Sequence, residues 1–240
     1  MKIKDWLKDE APRLILLAAP FLVLIPLWDK FPRRVAIHWG LDGQPNGWAD
    51  KEWGLLLLPV TNIALAGLFA LLPWIDIRRR NYSAESQASL RRVLKIFNLS
   101  AVALMAGMAL LIDAIALGWK VDVLKVVTLG TLIVFGVLGN YMPKLRPNRY
   151  IGIRTPWTLK SPEVWYRTHR VFGPVMLVGS FLMLPLCLLA PSVWSVWLML
   201  GFILLLTFGA TAFSYACYKS LPLSGTEEGD GKEEKRDGQD

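Results

Sequence analysis

The stretch NYMPKLRPNRYIGIRTPWTLKSPEVWYRTHR, Asn140–Arg170, decides the reading of the fold. It is dense in arginine, proline and aromatic residues, and it separates runs apolar enough to sit in lipid. A plain connector between two membrane helices needs only a few polar residues. A 31-residue insert of this composition reads instead as the functional surface of the chain.

Outward from it, hydrophobic residues make up 54% of the chain and charged residues 19%, with a mean hydropathy of +0.39, where a soluble domain carries about 25% charged residues. This composition indicates an all-α integral membrane protein. The net charge of +8 does not call for nucleic acid, because the basic residues fall in short loops between apolar runs, where membrane orientation explains them. Cys187 and Cys217 both lie inside apolar runs, so neither a disulfide framework nor a CxxC-type metal spacing is present.

Six spans are expected: Leu14–Trp28, Trp53–Ile75, Ile96–Gly118, Val123–Tyr141, Val171–Leu189 and Trp194–Tyr218. The first run is followed by Trp28, Asp29 and Lys30 rather than a small-x-small cleavage site, so it reads as a retained helix and not a signal peptide. The chain then divides into an N-terminal segment 1–13, a two-helix module 14–75 with a polar loop 29–52, and a connector 76–95. A third span with its link follows at 96–122, then a three-helix module 123–218 with the loop 142–170, and a glycine-rich charged tail 219–240 expected to be disordered. With the N-terminus inside, segments 1–13, 76–95, 143–170 and 219–240 hold 4, 6, 7 and 4 basic residues, 21 of the 27. The outer segments hold only Lys30, Arg33, Arg34, Lys51, Lys120 and Lys125. The positive-inside rule therefore puts both termini and Asn140–Arg170 in the cytoplasm, and His38–Trp48 outside.

Within the inner stretch, Pro143, Pro147 and Pro156 restrict the backbone and Gly152 permits close approach. Arg149 and Arg154 offer planar forks suited to carboxylate or phosphate. Binding of anionic lipid headgroups competes evenly with binding of a specific partner for these arginines, and with the stretch placed in the cytoplasm a structural clamp or inward relay is the better reading of it as a whole. Ser161 and Pro162 read as N-cap and first helical residue. The helix they start is expected to lie at the inner interface and to bend at Gly173-Pro174 before the fifth span. In the outer loop, Gly40, Gly43, Pro45, Asn46 and Gly47 supply turn chemistry, and Trp39 and Trp48 flank it at headgroup level.

Asp113 is the one carboxylate well inside a span, which reads either as part of an ion path or as a group reaching interfacial water, Lys120 or another helix. His38 and His169 fall on opposite sides of the bilayer and cannot share a metal or act as one acid-base pair. No HExxH, Walker-type or GxSxG pattern occurs. No catalytic residue, metal or cofactor is therefore assigned.

The chain resembles the SdpI-like family, bacterial immunity proteins named for protection against the sporulation-delaying protein toxin. The resemblance is carried by Asn140, Lys144, Arg146-Pro147-Asn148, Gly152-Ile153-Arg154-Thr155-Pro156-Trp157-Thr158, Trp165, Thr168-His169-Arg170 and Gly173. His38, Gly43, Pro45, Gly47-Trp48 and Lys51 resemble the N-terminal module of unknown function often fused to that family. The resemblance implies a multi-pass bacterial plasma-membrane protein, not an enzyme, whose partners are the lipid bilayer, a membrane-active peptide toxin and a cytoplasmic regulator. His38, Trp39, Gly43, Pro45, Asn46, Gly47 and Trp48 are then the first-contact candidates. The alternative readings are a small transporter or lipid-handling protein, built as an inverted repeat with Pro45-Asn46 and Pro147-Asn148 in corresponding loops, and a membrane enzyme acting on lipid or peptide.

Overall fold

A computed structural model describes residues 3–79, 84–148 and 151–221. Arg149 and the tail from residue 222 onward lie outside the described residues. The helices are α1 (Ile3–Leu27), α2 (Lys51–Arg79), α3 (Ala84–Ala116), α4 (Val123–Tyr141), the short α5 (Pro156–Lys160), α6 (Pro162–Leu189) and α7 (Ser192–Ser220). Six of them are long and apolar enough to cross a membrane, as the sequence led one to expect. Lipid offers the backbone no hydrogen bonds, so each span must satisfy its own amides as a helix.

Several helices outrun their apolar runs. α2 continues to Arg79 and α3 already begins at Ala84, so the expected connector 76–95 is mostly helix. Near the start of α3's apolar part, Lys95 pairs with Asp9 of α1 at 2.5 Å. The helix expected to start at Ser161-Pro162 and the fifth span form one continuous helix, α6, from Pro162 to Leu189 with Pro174 and Pro185 inside it. Gly173 is held by packing: a Cβ there would fall 2.6 Å from Pro143 Cδ and 2.9 Å from the Gly139 carbonyl. Gly139 of α4 is equally tight, with its notional Cβ 2.6 Å from the Leu177 amide. α4 and α6 therefore meet backbone to backbone at two small residues, the usual way membrane helices gain close contact.

Polar side chains lock other pairs. Asn62 of α2 donates to the Val102 carbonyl of α3 at 3.1 Å, and Asn98 of α3 returns a bond to the Ala66 carbonyl at 3.2 Å. Lys125 reaches the Leu188 and Ala190 carbonyls at the end of α6, at 3.1 and 2.9 Å. There its charge complements the negative end of the helix dipole.

The polar loop 29–52 is more ordered than turn chemistry alone implied. It forms an antiparallel hairpin of β1 (Arg34–Trp39) and β2 (Pro45–Asp50), with His38 opposite Gly47 and Trp39 opposite Pro45. Residues 40–44 close it: the Gly40 amide bonds the Gln44 carbonyl, and Gly43 takes φ +76. The hairpin sits on the bundle because Val35 packs with Leu24, Phe31, Leu55 and Ile112. Gly54 leaves it room, since a Cβ there would lie 2.2 Å from Val35 Cγ2. Lys51 anchors the junction by donating to the Trp28 carbonyl at 3.3 Å while lying 4.5 Å above the Trp28 ring.

Candidate functional site

At the opposite end of the bundle, the stretch after α4 folds into a clamp around Trp165 and His169, both fully buried. Their rings stack with centroids 4.1 Å apart. Trp165 Nε1 donates to the Leu145 carbonyl at 2.9 Å. His169 Nδ1 donates to the Trp165 carbonyl at 2.8 Å, and its Nε2 accepts the Ile153 amide at 2.9 Å. With one ring nitrogen donating and the other accepting, the partners select the neutral Nδ1–H tautomer. A second ring proton would face the Ile153 N–H.

Gly152 explains how the backbone comes so near. Its φ is +115, and a Cβ would lie 2.5 Å from His169 Nε2 and 3.0 Å from Trp165 Cη2. Upstream, buried Asn148 shapes the turn: its Oδ1 accepts the Ile151 amide and its Nδ2 donates to the Arg146 carbonyl, both at 2.9 Å. Downstream, Thr155 and Thr158 form a reciprocal capping box at the start of α5, with Pro156 at its first position. Such caps satisfy amides that a helix start would leave bare. The Thr158 hydroxyl also donates to the Ile153 carbonyl at 2.8 Å.

Two contacts tie this clamp to α7: Thr155 and Ser214 share a hydroxyl bond of 2.9 Å, and Trp157 lies 5.0 Å from the Tyr215 ring. The residues predicted as one inner site therefore separate into two sets. Asn148, Thr155, Thr158, Trp165 and His169 are buried, and their polar atoms bond one another or the backbone of the stretch. Arg146, Pro147, Gly152 and Trp157 are half-buried, while Asn140, Lys144, Arg154, Pro156 and Arg170 are exposed. Lys144 lies 4.7 Å over the Tyr141 ring. Leu145, Ser214, Tyr215 and Gly139 complete the clamp and were not singled out in the sequence. For Gly139 and Ser214 the available signal was their small size within apolar helices.

At the hairpin end, His38 Nδ1 donates to Asn46 Oδ1 at 2.6 Å, and Gly47 accommodates the crossing, its notional Cβ 2.9 Å from His38 Cβ. Trp48 is 52% exposed, whereas Trp39, Gly43, Pro45 and Gly47 are half-buried. Beneath the hairpin lies a mainly apolar cavity of about 540 Å³, bounded by Trp39, Leu57, Met108, Val127 and Met199, with His38 in its wall. That volume falls in the roughly 300–1,000 Å³ range of ligand pockets.

Asp113 is 1% exposed, and both its carboxylate oxygens are without a hydrogen-bond partner among the described residues. It does not pair with Lys120. The described residues contain no group of three or more His, Cys, Asp or Glu placed to hold a metal.

Comparison with known proteins matches residues 144–214 to the SdpI/YfhL protein family and residues 15–63 to a domain of unknown function, DUF1648. The chain is 26% identical over 215 residues, 90% of its length and 98% of the relative's, to a Bacillus subtilis (strain 168) protein named "Immunity protein SdpI". No solved structure matches it. The first matched segment ends inside α2, so it contains the whole hairpin, and the second contains the clamp from Lys144 to Ser214.

Proposed function

We propose that this chain, a multi-pass membrane protein similar to the SdpI/YfhL family over residues 144–214, confers immunity to a membrane-active peptide toxin at the bacterial plasma membrane. The relative named as an immunity protein, similar along nearly its whole length, is the observation that carries the reading. In this reading the hairpin end faces outward and meets the toxin. Support for contact there comes from the exposed Trp48 and the cavity under the hairpin, whose walls suit the apolar side chains of such a peptide.

The clamp at the other end then holds α4, α6 and α7 in register and presents Lys144, Arg154 and Arg170 to the cytoplasm. α7 links the two ends: Met199 borders the cavity and Ser214 bonds the clamp, about 22 Å apart along a helix rising 1.5 Å per residue. Displacement of α7 by an occupied cavity would carry toxin exposure inward to a regulator.

The test is expression of the full chain in a bacterium sensitive to the sporulation-delaying protein toxin, with membrane levels verified and survival measured against purified toxin. Protection relative to the empty vector is expected. An unchanged killing curve for this toxin and for a panel of other membrane-active peptides would refute the reading.

A further inference from the structure

A groove of about 340 Å³ runs along α7 beside the clamp, and it changes character along its length. At the clamp end it is lined by Arg154 and Thr155. Farther along it is lined by Phe135 of α4, Met176 of α6, and Leu206 and Ile203 of α7. Since Ser214 fixes the level of Thr155, Ile203 lies roughly 16 Å deeper along the helix. Arg154 is exposed. The two α7 hydroxyls in the wall, Thr207 and Thr211, donate to the carbonyls four residues back, each at 2.8 Å, so they place no demand on an occupant.

We propose that this groove is a binding site for a single anionic phospholipid, with the headgroup phosphate on Arg154 and one acyl chain laid along α7 between Phe135, Met176 and Ile203. A guanidinium is the side chain best suited to a phosphate, which it grips through two parallel N–H bonds. An apolar channel continuing from that charge into the bilayer fits an acyl tail, which brings no polar atoms to be left unpaired. A peptide in the same channel would strand most of its amides, since the deep walls are apolar apart from threonine hydroxyls whose protons are already given to α7 carbonyls. Occupancy would brace Arg154 and Thr155 against α7, so the bound lipid becomes part of the clamp. The inference is independent of any toxin and would stand if the immunity reading fell.

The full chain, purified in a mild detergent and mixed with phosphatidylglycerol or phosphatidylcholine of matched chains, is examined by native mass spectrometry for retained lipid. Wild type is expected to retain phosphatidylglycerol in preference to phosphatidylcholine. Arg154→Gln is expected to lower phosphatidylglycerol retention roughly 10- to 100-fold, the worth of one charged hydrogen-bonding contact, with Arg154→Lys intermediate. Ala210→Phe, which fills the groove at a buried position, is expected to lower retention of both lipids, and its melting temperature is measured alongside to separate groove filling from misfolding. Lys160→Gln, an equal loss of exposed charge outside the groove, is expected to keep the preference. Equal retention of the two lipids by wild type would overturn the proposal. So would a preference surviving in Arg154→Gln, or displacement of the bound lipid by inorganic phosphate.

Discussion

Substitution of Gly152 by alanine is the sharpest probe of the clamp. The residue sits at φ +115, where a side chain costs about 1–3 kcal/mol in backbone strain. The added methyl would also stand 2.5 Å from His169 Nε2, which accepts the Ile153 amide. Either the backbone shifts or the ring yields, and the second course strands the amide at about 1–3 kcal/mol. A combined loss of about 2–6 kcal/mol is a large part of the roughly 5–15 kcal/mol that holds a typical domain together. At about 2–4 °C per kcal/mol for a chain of this size, thermal unfolding of the purified protein in detergent is expected at least about 4 °C lower. In a His169→Ala background the methyl has space, so the second loss shrinks and the two substitutions should couple by about 0.5–3 kcal/mol. A melting temperature within about 1 °C of wild type, or strict additivity in the double variant, would refute the packing account.

The remaining predictions use the same preparation. Gly139→Leu drives a side chain into the Leu177 amide and Gly173 carbonyl, atoms that cannot rotate away, so a loss at or above about 3 kcal/mol and depletion from the membrane fraction are expected. Thr155→Val removes the capping hydroxyl and the bond to Ser214 and is expected to cost about 1–3 kcal/mol in denaturant titration, with Ser214→Ala smaller. Arg170→Gln, at an exposed position outside the clamp's hydrogen bonds, is expected to alter stability by no more than about 0.5 kcal/mol by the same titration.

The spans were legible because a bilayer imposes one rule on every helix that crosses it, and length plus apolar composition suffices to apply that rule. Val123–Tyr141 coincides with α4 as read from sequence. Ends set by packing or capping were less legible: α3 starts at Ala84, well before the apolar run at Ile96, because helix continues in polar residues wherever nothing stops it. α6 shows the converse: Gly173-Pro174 reads as the end of one helix, yet helix continues through it, with Pro143 and Gly139 packed against Gly173. The hairpin had a signal that was read only as turns. Two six-residue segments flank a five-residue glycine-containing loop, a spacing that itself favours a hairpin. Within the inner stretch, residue types were compatible with a ligand surface or a structural clamp, and five of them, Asn148, Thr155, Thr158, Trp165 and His169, are buried. Only coordinates distinguish a histidine aimed at an amide from one aimed at solvent.

Labour is divided between the two ends, with contact to toxin at the hairpin and structural support at the clamp. Survival against purified toxin, normalised to membrane protein level, tests this division most directly when Trp48→Ala is compared with His169→Ala in the same sensitive strain. Trp48→Ala is expected to accumulate normally and lose protection, while His169→Ala loses protein level and protects in proportion to what remains. Normal protection by Trp48→Ala, together with a fully accumulated His169→Ala that no longer protects, would contradict it.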